Sequence, residues 1–254
     1  MKKIIIITLL LCIFLLSGCS KDYQKMYDEI KYMELKNTFE NEEEIKKFLS
    51  EVQDNFNSKL NFKLKSKLFY FEKENDESDI LALEKREITA KFQKENNKLI
   101  SKYKTFTKIQ QYERTEKFIC YYKGKQEYIN NLSTEEKYAN YIGDYELEKM
   151  LNGHMKRPYY NTFFIDLYEN DFIEKIGEDE KGNIVIIVNY KKESVSSEIE
   201  KLVFKNKQII EFEYIRIGYH NGYAATWHFT EKYSYSKNII RYPNFDKYKI
   251  YYEG

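Results

Sequence analysis

Residues 60–70 read Leu60-Asn61-Phe62-Lys63-Leu64-Lys65-Ser66-Lys67-Leu68-Phe69-Tyr70. Leu60, Phe62, Leu64, Ser66, Leu68 and Tyr70 fall on one side of an extended chain, and Asn61, Lys63, Lys65 and Lys67 on the other. A period of two with one apolar and one charged side marks an antiparallel strand, buried on one face and wet on the other.

Weaker copies of this alternation recur downstream. Ile88, Ala90 and Phe92 alternate with Thr89, Lys91 and Gln93, and Leu99, Ser101 and Tyr103 with Ile100, Lys102 and Lys104. Glu95-Asn96-Asn97-Lys98 joins them as a tight turn, since Asn tolerates positive φ. Phe118–Tyr122 and Gln126–Ile129 flank Lys123-Gly124-Lys125 as a second hairpin. Gly182-Asn183 turns the chain into the continuous apolar run Ile184–Tyr190. Residues 199–204 and 209–217 form a hairpin about Lys205-Asn206-Lys207. After a turn at His220-Asn221-Gly222, Ala225, Trp227 and Phe229 alternate with Thr226, His228 and Thr230, which places His228 on an exposed side. A last strand spans Tyr248–Tyr252.

Helical spacing is confined to the front and the middle. Tyr23, Met26, Tyr27, Ile30 and Met33 share one helix face, and Ile45, Phe48, Leu49 and Val52 another, capped by Asn41 with Glu44 three residues on. Asp144 starts a helix carrying Leu147, Met150 and Leu151 and ending at Gly153, and Phe164, Leu167, Tyr168 and Phe172 fit one more. Hairpins with inserted helices predict an α+β fold with an antiparallel sheet. No Gly/Pro/Ser-rich linker divides it, so residues 58–254 are expected to form one body behind a helical segment, 19–57.

The first eighteen residues read differently. Lys2 and Lys3 precede an uncharged apolar run, Ile4–Leu16, followed by Ser17-Gly18-Cys19. Thirteen residues reach about 20 Å as a helix, short of the roughly 30 Å hydrocarbon core, so a secretory signal fits better than a span. Leu16-Ser17-Gly18-Cys19 resembles a bacterial lipobox, which implies a diacylglyceryl group on Cys19 and a lipid-anchored protein of the cell membrane, facing outside the cytoplasm. Two acyl chains suffice for stable attachment where one is marginal. Removal of residues 1–18 leaves 40 basic and 41 acidic residues, a formal charge of −1. That balance gives no reason to expect nucleic acid. With Cys12 in the signal and Cys19 as anchor, Cys120 has no disulfide partner; its apolar neighbours Phe118, Ile119, Tyr121 and Tyr122 suggest a buried small hydrophobe.

No catalytic signature stands out, so no enzyme is expected. His220 and His228 lack the one-face spacing of a metal pair, no Cys cluster or phosphate-cradling glycine loop occurs, and neither metal nor cofactor is expected. The order of elements resembles the LolA/LolB-type lipoprotein-carrier fold, on the amphipathic strand Leu60–Tyr70, the Phe118–Ile129 hairpin with Asn130-Asn131-Leu132-Ser133-Thr134 behind it, the mid-chain helices and the Leu202–Phe229 strands. That resemblance implies a curved, unclosed antiparallel half-barrel with helices on its concave face.

The 25 Tyr, 17 Phe and one Trp either line a cavity for a lipid or acyl chain or simply pack a half-buried sheet. The faces expected to carry a ligand are Leu60, Phe62, Leu64, Phe92, Phe212, Tyr214, Trp227 and Phe229. The alternative is a structural or adhesion lipoprotein that uses the same rings on an envelope protein partner.

Overall fold

A computed structural model describes residues 22–58, 61–73, 80–93, 98–123, 125–142, 172–190, 196–220, 223–235 and 240–251. The signal and Cys19, Leu60, the turn at 95–97, Gly124, the expected helix at 144–153, residues 161–171 of the next one, His154 and the turn at 221–222 lie outside them; Phe172, expected on that last helix, is described and is not helical. Two helices, α1 (Tyr23–Lys31) and α2 (Glu42–Ser58), precede twelve strands: β1 (Asn61–Lys73), β2 (Ile80–Gln93), β3 (Lys98–Ile109), β4 (Tyr112–Lys123), β5 (Gln126–Asn131), β6 (Lys137–Tyr141), β7 (Ile173–Glu178), β8 (Ile184–Asn189), β9 (Ser197–Lys205), β10 (Gln208–His220), β11 (Tyr223–Ser234) and β12 (Lys249–Tyr251). They form one unclosed sheet, ordered β12-β6-β5-β4-β3-β2-β1-β11-β10-β9-β8-β7, antiparallel except where β12 adds parallel to β6. The fold is the expected α+β half-barrel. No helix among the described residues is long and apolar enough to cross a membrane.

The alternation at residues 60–70 becomes two faces with different fates. Phe62, Leu64, Ala90, Phe92, Leu99, Cys120, Ile186, Leu202, Phe212 and Phe229 share one buried cluster on the concave side. The stripe of α2 lies in it, with Phe48 edge-on to Phe204 at 5.7 Å and Leu49 and Val52 buried. Each such side chain contributes about 1.5–3 kcal/mol. Asn41 accepts the Glu43 N–H at 2.8 Å, and Glu42, Glu43 and Glu44 fill the positive first turn.

Helix α1 packs on the opposite, convex face. Its Tyr27 and Ile30 are buried against Val185, Ile187, Ile199 and Ile215. β8 is therefore covered on both sides, with Val185 and Ile187 under α1 and Ile186 and Val188 in the concave cluster. That is why its sequence is continuously apolar rather than alternating.

Between the helices the chain rounds the open edge at β7. Lys36 and Glu178 exchange backbone hydrogen bonds at 2.8 and 2.7 Å, and Phe39 donates to the Ile176 carbonyl at 3.0 Å, so the edge is covered rather than left to pair with another chain. Lys175 donates from Nζ to the Lys31 carbonyl at 3.0 Å, capping the negative end of α1.

The far side is fastened by residues 240–248, which cross the convex face of β3–β5 before β12. The Phe245 ring stacks on Tyr128 at 3.8 Å, and the Tyr242 hydroxyl accepts the Leu99 N–H at 3.1 Å while donating to the Tyr122 carbonyl. In the β9–β10 hairpin Lys205 pairs with Gln208, leaving Asn206 and Lys207 as a two-residue turn with φ of 50° and 57°. Two positive φ values give the turn twist that matches paired strands.

Candidate functional site

Strand alternation delivers the predicted side chains to the concave face, but in two groups. Phe62, Leu64, Phe92, Phe212 and Phe229 are buried to 4 % exposure or less, with Phe62 and Phe92 rings 5.1 Å apart and Phe212 and Phe229 6.1 Å apart. They share one buried cluster with Phe48, Leu49 and Val52 of α2. Tyr214 and Trp227 are half-buried towards the rim. There Tyr70 lies 5.0 Å from Trp227, Arg216 sits 4.8 Å above the indole, and Glu198 is 3.2 Å from Arg216 Nε. The indole face attracts the guanidinium, so this rim is a polar-aromatic belt. Burial first, and then the Glu72 carboxylate, push the Tyr70 phenol up.

Across β3–β6 the same face is hollow among the described residues. A cavity of about 440 Å³ is lined by Tyr103, Phe118, Cys120, Tyr122, Ile129 and Tyr138, with Glu116, Glu127 and Asn131 at its sides. Tyr103 and Phe118 stack at 4.7 Å to form one wall. Burial, aided by Glu127, raises the Cys120 thiol and the Tyr122 and Tyr138 phenols. All three are uncharged at neutral pH, so the walls present apolar surface with neutral polar tips. A buried protonated thiol is a poor nucleophile, in keeping with the structural role expected of Cys120. None of the seven described ligand candidates lines this cavity. The sequence signal for it was the in-phase set Leu99, Ser101, Tyr103 and its cross-strand neighbours Phe118 and Cys120, which reads locally like any other strand face.

Two carboxylates went unread in the sequence. Glu200 and Glu231 are wholly buried on the concave face, in phase with Leu202 and Phe229. The Tyr233 hydroxyl donates to Glu231. An acid on the apolar phase of a strand was the signal.

On the convex face His228 is 7 % exposed, which corrects its expected exposure. Its Nε2 lies 3.0 Å from Glu213, whose other oxygen takes a 2.6 Å hydrogen bond from Lys201, and the Tyr23 ring of α1 covers it at 5.6 Å. Burial alone raises the Glu213 pKa, but the hydrogen bond with His228 and the Lys201 ammonium outweigh it and hold the carboxyl at about 2. Among the described residues no cluster of three side chains suits a metal ion.

No protein-family model matches the chain. No curated protein matches it either. Among solved structures, an S-type phycobiliprotein lyase from Guillardia theta aligns at 10% identity over 75% of this chain and 98% of its own, with a TM-score of 0.23. A DUF1329 family protein from Desulfovibrio piger aligns at 10% identity over 77% and 95%, with a TM-score of 0.24.

Proposed function

We propose that this is a bacterial envelope lipoprotein, tethered through a diacylglyceryl group on Cys19, whose half-barrel holds a hydrophobic ligand such as an acyl chain without covalent chemistry. The observation that carries the reading is the uneven filling of the concave face. Over β9 and β10, α2 lies on it; over β3–β6 the described residues leave about 440 Å³ between rings that are neutral at physiological pH. That volume lies within the usual range of small-molecule sites, and such sites are mostly apolar with a few polar groups for orientation. Tyr103, Phe118 and Ile129 would grip the chain, while Glu116, Glu127 and Asn131 would meet a polar head. The packed rings Phe62, Phe92, Phe212 and Phe229 form the floor that keeps the sheet curved.

Native mass spectrometry of the detergent-extracted protein tests both halves of the reading. A mass of two or more acyl chains on Cys19 and a second, dissociable hydrophobic species are expected. A protein that binds no fatty acid after delipidation and reloading overturns the cavity assignment, and a Cys19 without acyl mass overturns the anchor.

A further inference from the structure

The convex face of β1–β4 carries an imbalance that the near-neutral composition hides. Lys63, Lys65, Lys91, Lys102 and Lys104 project from it, and Lys63 stands directly opposite Lys91 across β1 and β2, as Lys104 does opposite Lys117 across β3 and β4. Like charges directly opposite in a sheet are destabilising. Glu87 meets Lys67 at 3.3 Å and stands opposite Lys104 across β2 and β3, and Glu113 meets Lys108 at 3.0 Å, but among the described residues no carboxylate forms an ion pair with Lys63, Lys65, Lys91 or Lys102. Where residues 241–243 cross this face they enclose a furrow of about 640 Å³ lined by Lys63, Lys91, Lys102, Arg241, Tyr121 and Tyr242, a wall that contains no acid.

Chain geometry then says what faces this surface. Tyr23 stacks on Phe69 at 5.3 Å, on the same side of β1 as Lys67, Lys65 and Lys63, which follow along the strand in steps of about 7 Å. Three residues lie between Cys19 and Tyr23, so the reach of the chain keeps the Cys19 Cα within about 14 Å of the Tyr23 Cα. A lipid there puts the bilayer beside the lysine rows.

We propose that the convex face of β1–β4, with the Arg241 furrow, docks on the anionic phospholipid headgroups of the bilayer. Unbalanced lysines that repel one another within the sheet are stabilised against a surface of negative phosphates. In that pose the concave cavity opens away from the membrane. The bilayer as occupant rests on the envelope reading above; the charge pattern does not.

The test is lysine footprinting. The native protein is mixed with vesicles of phosphatidylcholine alone or with about a third phosphatidylglycerol, treated with an acetylating reagent, and digested for mass spectrometry. Acetylation of Lys63, Lys91 and Lys102 is expected to slow about fivefold or more on the anionic vesicles only, to recover in 0.5 M salt, and to leave Lys181 at the β7–β8 turn unaffected. The triple variant Lys63→Glu/Lys91→Glu/Lys102→Glu, checked for native circular dichroism, is expected to lose the protection at Lys65 and Lys104. Equal rates on both vesicles overturn the proposal, and so does protection by soluble polyphosphate without protection by vesicles, which would assign the face to a polyanion. The intact mass of the same preparation reports Cys19 acylation separately, so an unacylated protein removes the anchor while vesicle flotation still decides the face.

Discussion

A Cβ placed on Gly177 would stand 2.8 Å from the carbonyl oxygen of Lys36 and 3.0 Å from the Leu35 side chain. Both neighbours belong to the segment that rounds the sheet edge, and the Lys36 carbonyl is itself held by the Glu178 N–H. The backbone cannot give way without breaking that bridge. Gly177→Ala is therefore expected to destabilise the protein by about 1–3 kcal/mol, the usual cost of overpacking. Urea melts measure the loss, and hydrogen exchange at Lys36 and Phe39 should rise with it. Unchanged exchange at those amides would mean that the edge cover contributes nothing.

At the opposite end Tyr242 joins two strands with one hydroxyl, so Tyr242→Phe strands the Leu99 N–H and the Tyr122 carbonyl. A loss of about 1–3 kcal/mol is expected. Burial also pushes the Tyr242 phenol up to about 12 from 10. A phenol raised on folding stabilises fully below its unfolded value, and that stability is lost as pH rises from about 10 through 12. Thermal melts across this window should fall less steeply in Tyr242→Phe than in the wild type.

Glu213 makes the matching prediction in acid. Its carboxyl, at about 2 in the folded protein against an ordinary 4.5, stabilises above the unfolded value and ceases to do so as pH falls from about 4.5 to 2. Glu213→Gln is expected to cost about 2–3 kcal/mol at pH 7 and little near pH 2. Denaturant titrations at both pH values check this. A cost independent of pH would show that the carboxyl is held by packing, not by His228 and Lys201.

These groups mark what a local pattern can and cannot reveal. β1 was legible because one of its sides is wet and the other lies in the core. β2, β3 and β4 run further than their alternation suggests, since residues such as Tyr112, Glu113 and Arg114 are exposed on both sides and nothing enforces a phase. β6 is five residues between β5 and the three-residue edge strand β12, and carries too little pattern to be seen. His228 reads as exposed because the ring that covers it, Tyr23, lies some two hundred residues away. The cavity was invisible for the same reason. A hollow depends on which strands α2 covers, and no stretch of β3 or β4 records that.

Cys120 offers a direct report on the hollow. Its side chain is 1 % exposed, lines the cavity, and is held protonated by burial beside Glu127. A thiol in that state reacts slowly, and only with reagents small and apolar enough to enter. With an acyl chain in place, methyl methanethiosulfonate at pH 8 should leave Cys120 unmodified over hours. Removing the ligand is expected to raise the rate about tenfold or more, while a charged, bulky disulfide reagent stays inert until the protein unfolds. Ile129→Phe, which adds a ring to the same wall, should slow the small reagent in the ligand-free protein and weaken fatty-acid binding together, because both need the same space. If the variant slows modification yet binds fatty acid as tightly as the wild type, the ligand sits elsewhere and the concave cavity is only a packing defect.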